Sequence, residues 1–305
     1  MRSNREGVAV GEVIAAAALF GTTGTSQALG PSGTTPLGVG AARLIVGGAG
    51  LLVSLRFIGG SARDAFALWR NRWGLLGGVC TALYQVAFFA AVLKAGVALG
   101  TLITIGSGPF LTGVLSALLL KQRPNRAWAI ATSTAVFGLV LLTFDGALRP
   151  DVDLVGVALA LVSGLGYALY TIAGKKLISE GHHSSTVMAS SFSLGGLLLV
   201  PVLLTQPLAW LASAAGIALA LYLGLVTTTV AYLLFGRGLR VLDAGPVTTL
   251  VLAEPVVATF LGVIVLGERL GVIGWIGCVF VLAGLAMQGY SSSRKPANII
   301  VESLP

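Results

Sequence analysis

Two charged residues of this 305-residue chain stand within apolar segments, where they could do chemistry. Glu254 lies in the run Val-Leu-Ala-Glu-Pro-Val, where its carboxyl group could carry a proton or cap a break in the chain. Arg43 lies in Ala-Ala-Arg-Leu-Ile-Val. Its guanidinium could bind a carboxylate bidentately, pair with Glu254, or reach a polar interface along its own stem. These two residues are the candidates for recognising or coupling charge.

Two prolines also stand inside apolar runs, and they are 146 residues apart, at Pro109 and Pro255. A proline inside a helix removes a backbone hydrogen bond and frees the carbonyl one turn earlier, here that of Ile105 or Val251. In hydrocarbon such a carbonyl must find a partner or line a cavity. We therefore predict a pair of hinges beside a solute site, with harmless kinks as the alternative.

Aromatic side chains recur three or four residues apart in several apolar segments, so the members of each pair would share a helix face. A cavity with aromatic walls, hydroxyl groups and few charges suits amphiphilic molecules such as amino acids. The alternative is that the aromatic residues face lipid and the hydroxyls bond to their own helices. The predicted solute-binding residues are Thr22, Gln27, Arg43, Tyr84, Phe88, Ser107, Tyr167, Tyr170, Thr228, Tyr232 and Glu254.

The elements that must position these residues are membrane-spanning helices. The chain is 56% hydrophobic and 10% charged, whereas a soluble domain carries about 25% charged residues. A bilayer core needs about 20 apolar residues per helix. That length divides the chain into ten predicted spans, near residues 9–29, 36–56, 73–94, 98–120, 127–144, 154–175, 185–205, 209–236, 243–266 and 270–289.

The basic residues predict how these spans are oriented. With both termini in the cytoplasm, 15 of the 19 Lys and Arg residues fall on the cytoplasmic side and 3 on the other, as the excess of positive charge inside requires. This distribution also explains the net charge of +8 without nucleic acid. The 15 are Arg2, Arg5, Arg56, Arg63, Arg70, Arg72, Lys121, Arg123, Arg126, Lys175, Lys176, Arg237, Arg240, Arg294 and Lys295; the 3 are Lys94, Arg149 and Arg269.

The two halves of the chain share a register. The offset of 146 residues pairs Lys94 with Arg240 and Gly138 with Gly284, besides the two prolines, and it drifts toward 148 in other segments. A repeat of five spans is odd-numbered, so the second copy must cross the membrane upside down. We predict an all-α membrane protein of two inverted five-helix repeats, 1–148 and 149–305, the second with a short cytoplasmic tail.

These residues resemble the drug/metabolite transporter superfamily, and within it the EamA-type ten-helix exporters, with aromatic amino-acid exporters closest in character. The resemblance covers residues 9–290 and is carried by Arg43, by Ala-Glu-Pro-Val (253–256) and by Leu-Gly-Glu-Arg-Leu (266–270). The first half departs from the pattern, with Gly108 opposite Glu254 and Gln122 opposite Glu268. The resemblance implies alternating access and export of amino acids, drugs or other metabolites.

The residues leave several functions open. Within transport, the alternatives to a secondary exporter of the inner membrane are an uncoupled facilitator and a drug exporter; proton coupling would fall to Glu254. An enzyme is not expected, because His182 and His183 share one loop and no metal-ligating or catalytic constellation stands at membrane depth. We also expect no cofactor and no metal. A membrane sensor or scaffold that transports nothing is the alternative of another class.

Overall fold

The computed structural model describes residues 2–144 and 153–293, and within these ranges it is helical without strands. Ten helices there are long and apolar enough to span a membrane, with the eighth and ninth spans built from more than one segment. The helices are α1 (Arg2–Ala28), α2 (Pro36–Ser54), α3 (Ala62–Ala67), α4 (Arg72–Ala95), α5 (Val97–Leu119), α6 (Arg126–Phe144), α7 (Leu154–Ser179), α8 (Ser184–Leu204), α9 (Ala214–Leu221), α10 (Ala231–Val241), α11 (Ala244–Leu250), α12 (Ala253–Val265) and α13 (Val272–Ser293).

Large apolar side chains cover the outside of this bundle. Ile264 and Val272 are each 76% exposed, and Leu118 is 71% exposed. In water such a surface would cost about 25 cal/mol per Å² of apolar area. The bundle therefore fits a lipid environment, and the prediction of ten spans is confirmed.

Several span boundaries differ from the predicted ones, most of all those of the eighth span. The eighth span runs over Ala214–Val241 instead of 209–236, because Trp210 is buried in a separate 3₁₀ turn and Ser213 accepts the Gly216 N–H as an N-cap. The sixth span continues past 175 to Ser179. It can do so because the buried Lys175 ammonium donates to the carbonyls of Leu239 (2.9 Å) and Leu242 (2.7 Å) at the end of α10.

The packing of α6 against α13 relates the two halves by the 146-residue offset. At Gly138 an added Cβ would lie 2.6 Å from the Gly277 carbonyl oxygen, and at Gly284 it would lie 2.6 Å from the Ala131 carbonyl oxygen. Gly138 corresponds to Gly284, and Ala131 to Gly277, so the two contacts are the same contact seen twice. Such small residues let membrane helices approach closely.

The packing of α2 against α8 follows the same symmetry with an offset of 148. An added Cβ at Gly48 would meet the Phe192 carbonyl oxygen at 2.6 Å, and one at Gly196 would meet the Leu44 carbonyl oxygen at 2.9 Å. Further pairs agree: α4 packs on α7 as α10 packs on α1, and α5 packs on α7 as α12 packs on α1. The structure is thus two inverted five-helix repeats, as predicted.

The corresponding helices α5 and α12 also end in the same way. The amides of Leu120 and Gln122 both donate to the Ser116 carbonyl, and those of Leu266 and Glu268 both donate to the Gly262 carbonyl. The predicted repeat boundary at 148/149 lies outside the described residues, and so does most of the predicted cytoplasmic tail that follows the tenth span. Both stay predictions.

Candidate functional site

The predicted tyrosines meet in the middle of the bundle. Tyr84 on α4 lies with its ring centroid 6.0 Å from those of Tyr167 and Tyr170 on α7, and the last two rings are 5.3 Å apart. The Tyr170 hydroxyl is hydrogen-bonded at 3.1 Å to that of Tyr232 on α10. Phe88 lies one turn along α4, with its centroid 6.2 Å from that of Tyr84. One face each of three spans thus forms a single aromatic cluster.

Further phenylalanines that the sequence analysis did not single out extend this cluster. Phe192 on α8 lies tilted against Tyr232 with centroids 3.8 Å apart, and Phe20 on α1 lies 4.9 Å from the same ring. Both are buried. Their mid-span positions were the available signal, but neither has a second aromatic residue on its own face to make a pattern.

The eighth span contains a π-helix, Tyr222–Val230, between α9 and α10. Here Thr228 and Thr229 donate their hydroxyl hydrogens five residues back, to the carbonyls of Leu223 and Gly224. In the corresponding α4, which is a regular α-helix, Thr81 donates four residues back to Gly77, as its counterpart Thr227 does to Leu223. π-Helical turns widen the helix and often mark functional sites. The sequence analysis did not detect this segment.

Arg43 is held by the π-helix. Its Nε donates to Thr228 Oγ1 at 3.0 Å and its Nη2 to the Thr227 carbonyl at 3.4 Å. Of the three roles left open, a direct ion pair with Glu254 within 4.0 Å is not formed in the described structure. A guanidinium has five N–H donors, so several remain for a solute. Arg43, Glu254, Tyr84 and Tyr232 are still close enough to interact electrostatically.

Glu254 follows a break in the ninth span. The helix is interrupted at Val251 and Leu252, and the Val251 carbonyl that Pro255 would leave free accepts the Glu254 N–H at 2.9 Å. Gly21 of α1 allows this close approach, since a Cβ there would lie 2.7 Å from the Glu254 carbonyl oxygen. The half-buried Glu254 carboxylate has no hydrogen bond or ion pair within the described part of the chain. It is available to a proton or a solute.

The two prolines are not structurally equivalent. Helix α5 runs without interruption through Pro109, so the expected pair of breaks exists only in the second half. The reason lies in the neighbours: Gly108 lets the Tyr167 ring pack directly against α5, with an added Cβ only 2.6 Å from the ring. Glu254 occupies the corresponding position of the broken span. Hinge motion at either proline stays a prediction.

The remaining predicted residues lie at the edge of the cluster or apart from it. Ser107 donates weakly to the Thr104 carbonyl (3.4 Å), beside Gly164 of α7. Thr22 accepts a hydrogen bond from Tyr222, at the start of the π-helix, at 3.0 Å. Gln27 makes no side-chain hydrogen bond to any described residue, and nothing joins it to the cluster.

No group of three or more His, Cys, Asp or Glu residues in the described ranges could hold a metal ion. The described spans form two inverted halves around a centre of charged and aromatic residues. This architecture defines a polytopic membrane protein of the inverted-repeat class, which is common among secondary transporters. A model of the EamA-like transporter family matches residues 8–144 and, separately, residues 154–289. The chain belongs to this family, within the drug/metabolite transporter superfamily.

Individual relatives agree with this assignment. The uncharacterized transporter YwfM of Bacillus subtilis is 39% identical over 273 residues, which cover 90% of each chain. The uncharacterized inner membrane transporter YicL of Salmonella typhimurium is 26% identical over 305 residues, covering 97% of this chain and 99% of YicL. A crystal structure of a protein 20% identical in sequence superposes with a TM-score of 0.78 over 94% of this chain and 99% of its own, which shows the shared fold.

Proposed function

We propose that this protein is a secondary transporter of the cytoplasmic (inner) membrane that exports small metabolites, chiefly amino acids, by alternating access. Residues 1–148 and 149–305 act as the two halves that rock against each other, with Pro109 and Pro255 as hinges and both termini in the cytoplasm. The inner membrane is inferred from the relative YicL, which is named an inner membrane transporter, and the orientation is inferred from the basic residues at one end of the bundle.

The observation that carries this proposal is a set of polar groups with unused bonding capacity inside the aromatic cluster. The buried Tyr167 hydroxyl has no hydrogen-bond partner within the described residues, and the Arg43 guanidinium has spare N–H donors. A buried polar group left unpaired costs about 1–3 kcal/mol. A solute that carries a carboxylate and an amphiphilic side chain would satisfy these groups and pack against the rings.

Glu254 is the group proposed to couple transport to protons. It is acidic and close enough to Arg43 to interact with it electrostatically, so its protonation would change the charge that a solute meets. The corresponding position of the first half is Gly108, which cannot take up a proton. One carboxyl group would therefore serve both conformations of the transporter.

The test is flux in liposomes that contain only the purified full chain, with a panel of radiolabelled amino acids and an imposed pH gradient. We expect the gradient to drive accumulation of at least one amino acid. Glu254→Gln should abolish the gradient dependence, whereas Glu268→Gln, which alters a carboxylate at the end of the same span, should keep it.

Each contrary result removes a different part of the proposal. Equilibration without gradient dependence in both the native chain and Glu254→Gln would indicate an uncoupled facilitator. Flux of amphiphilic drugs in place of every amino acid would indicate a drug exporter. Absence of flux for the whole panel would leave a sensor or scaffold.

A further inference from the structure

A cavity of about 450 Å³ lies at the basic end of the bundle, where α5 and α13 end and α6 and α11 begin. Its volume is in the range of small-molecule sites, about 300–1,000 Å³. None of the aromatic-cluster residues lines it. It is therefore separate from the central site and lies nearer the proposed cytoplasmic side.

Four polar side chains lining this cavity have an atom without a hydrogen-bond partner among the described residues. They are Ser116 Oγ, Gln122 Oε1, Trp128 Nε1 and Gln288 Oε1. Ser116 is 2% exposed and Gln288 is 1% exposed, so water outside the bundle does not satisfy them. The amide nitrogen of Gln288 is already used, because it donates to Ser292 Oγ at 2.9 Å. The atom of Gln288 that has no partner among the described residues is thus its acceptor oxygen.

The chemistry of these atoms selects the ligand. The two glutamine oxygens accept hydrogen bonds, the indole of Trp128 donates one, and Ser116 can do either. Arg123 adds a positive charge to the lining, and Glu6 and Asp243 add two acidic side chains that favour an ammonium group. A ligand that satisfies the set needs N–H donors for the amide oxygens and an anionic oxygen for the indole and the guanidinium. An ammonium group and a carboxylate on one small molecule meet both needs.

The fold does not require Ser116, Trp128 or Gln288. At the other end of the bundle the 146-residue offset places Gly262 at the position of Ser116, Gly274 at that of Trp128, and Leu142 at that of Gln288. Helices α12 and α5 nonetheless end with the same backbone hydrogen bonds. Gln122 and Arg123 do have polar counterparts, Glu268 and Arg269, so Ser116, Trp128 and Gln288 are the polar residues added at one end only.

We propose that this cavity is an inner solute site that binds an α-amino acid through Gln122, Gln288, Trp128 and Arg123. The site holds the solute at the cytoplasmic end of the bundle, apart from the central cluster. This inference rests on the proposed function in one respect: the amino acid it binds is taken to be the one transported.

The test is equilibrium binding of the same radiolabelled amino-acid panel to the purified full chain in detergent. We expect two sites per chain for the amino acid that is carried. Gln288→Leu should weaken binding at one of them by about 10-fold or more, the loss typical of a hydrogen bond to a charged group. Ser116→Ala, a smaller change, should weaken the same site less. Arg43→Gln should remove the other site only.

Competition with the corresponding amine and the corresponding acid, each lacking one of the two charged groups, should be weak at the inner site. A single site that Gln288→Leu and Ser116→Ala leave unchanged would overturn the proposal, as would absence of binding, which would mean that the cavity holds water only. Elution as one sharp peak verifies that each variant is folded. Flux together with one site that Gln288→Leu leaves unchanged would refute the inner site alone, and two sites without flux would refute the transport function alone.

Discussion

The two halves of this protein have matching helix–helix contacts, but they place different residues at the centre of the bundle. The contacts at Gly138 and Gly284 are two copies of one arrangement, and the ends of α5 and α12 are two copies of another. The central charged residues and the π-helical conformation have no such copies. Arg43 corresponds to Ser191 by the 148-residue offset, Glu254 corresponds to Gly108, and the π-helix corresponds to the regular α4.

This difference separates what the fold needs from what a solute needs. The second half assembles without a counterpart of Arg43, and the first half assembles without a counterpart of Glu254 or of the π-helix. These features are also connected to each other: the π-helix supplies the Thr228 hydroxyl and the Thr227 carbonyl that hold Arg43. Together they form one asymmetric site within a bundle whose helix packing is symmetric.

The largest expected effect tests the symmetric packing of α6 against α13. Gly138→Leu and Gly284→Leu should each reduce stability by about 1–3 kcal/mol, because the new side chain would force α6 and α13 apart. The two losses should be similar, since the contacts correspond. Thermal unfolding of the detergent-purified chain measures them. Gly24→Leu is the control, as nothing lies within 4 Å of an added Cβ there. Very unequal losses would contradict the symmetry.

The next largest effect tests Arg43, which has no charged counterpart in the other half. Arg43→Gln should lower the initial rate of solute flux by about 100-fold, which corresponds to about 2.7 kcal/mol of lost stabilisation. Arg43→Lys should recover only part of the rate, because an ammonium cannot reproduce the fork of the guanidinium. The matched control is Ser191→Ala at the corresponding position, which should change the rate less than about 2-fold.

Liposomes with equal amounts of folded protein provide the measurement. Equal losses of flux rate for Arg43→Gln and Ser191→Ala would mean that both positions serve packing alone. Arg43 would then not bind the solute.

The sequence was enough to predict the spans and much of the cluster. Hydrophobic length is a direct consequence of bilayer thickness, so ten spans could be counted. Tyr84, Tyr167, Tyr170 and Tyr232 could be assigned to helix faces from their spacing. Which faces meet depends on helix rotation, and the glycine contacts that set this rotation could be recognised only once both partners were known.

Other features left no readable signal. A π-helix requires one extra residue in a span, and an apolar segment tolerates that without any change in pattern. The partner of Arg43 was therefore expected to be a solute or Glu254, and Thr228 was not foreseen. Pro109 illustrates the opposite problem, because the proline pattern is the same in both halves and the Tyr167 ring against Gly108 makes their surroundings differ.

The smallest expected effect returns to the symmetric part, at a position where the two halves differ by one side chain. Lys121 has φ of 55° and its counterpart Gly267 has φ of 71°, so both adopt the left-handed conformation that follows a helix end. This conformation costs a residue with a Cβ about 1 kcal/mol more than glycine. Lys121→Gly should therefore raise the midpoint of thermal unfolding by about 1–3 °C.

The reverse change, Gly267→Lys, should lower that midpoint by a similar amount. Lys121→Ala separates backbone from charge, because alanine removes the ammonium and keeps the Cβ. If Lys121→Ala stabilised the protein as much as Lys121→Gly, the gain would come from relief of repulsion among the basic residues at this end. A gain for glycine alone would mean that the Cβ of Lys121 destabilises the left-handed conformation at the end of α5. Gly267, which has no Cβ, adopts the same conformation without this destabilisation.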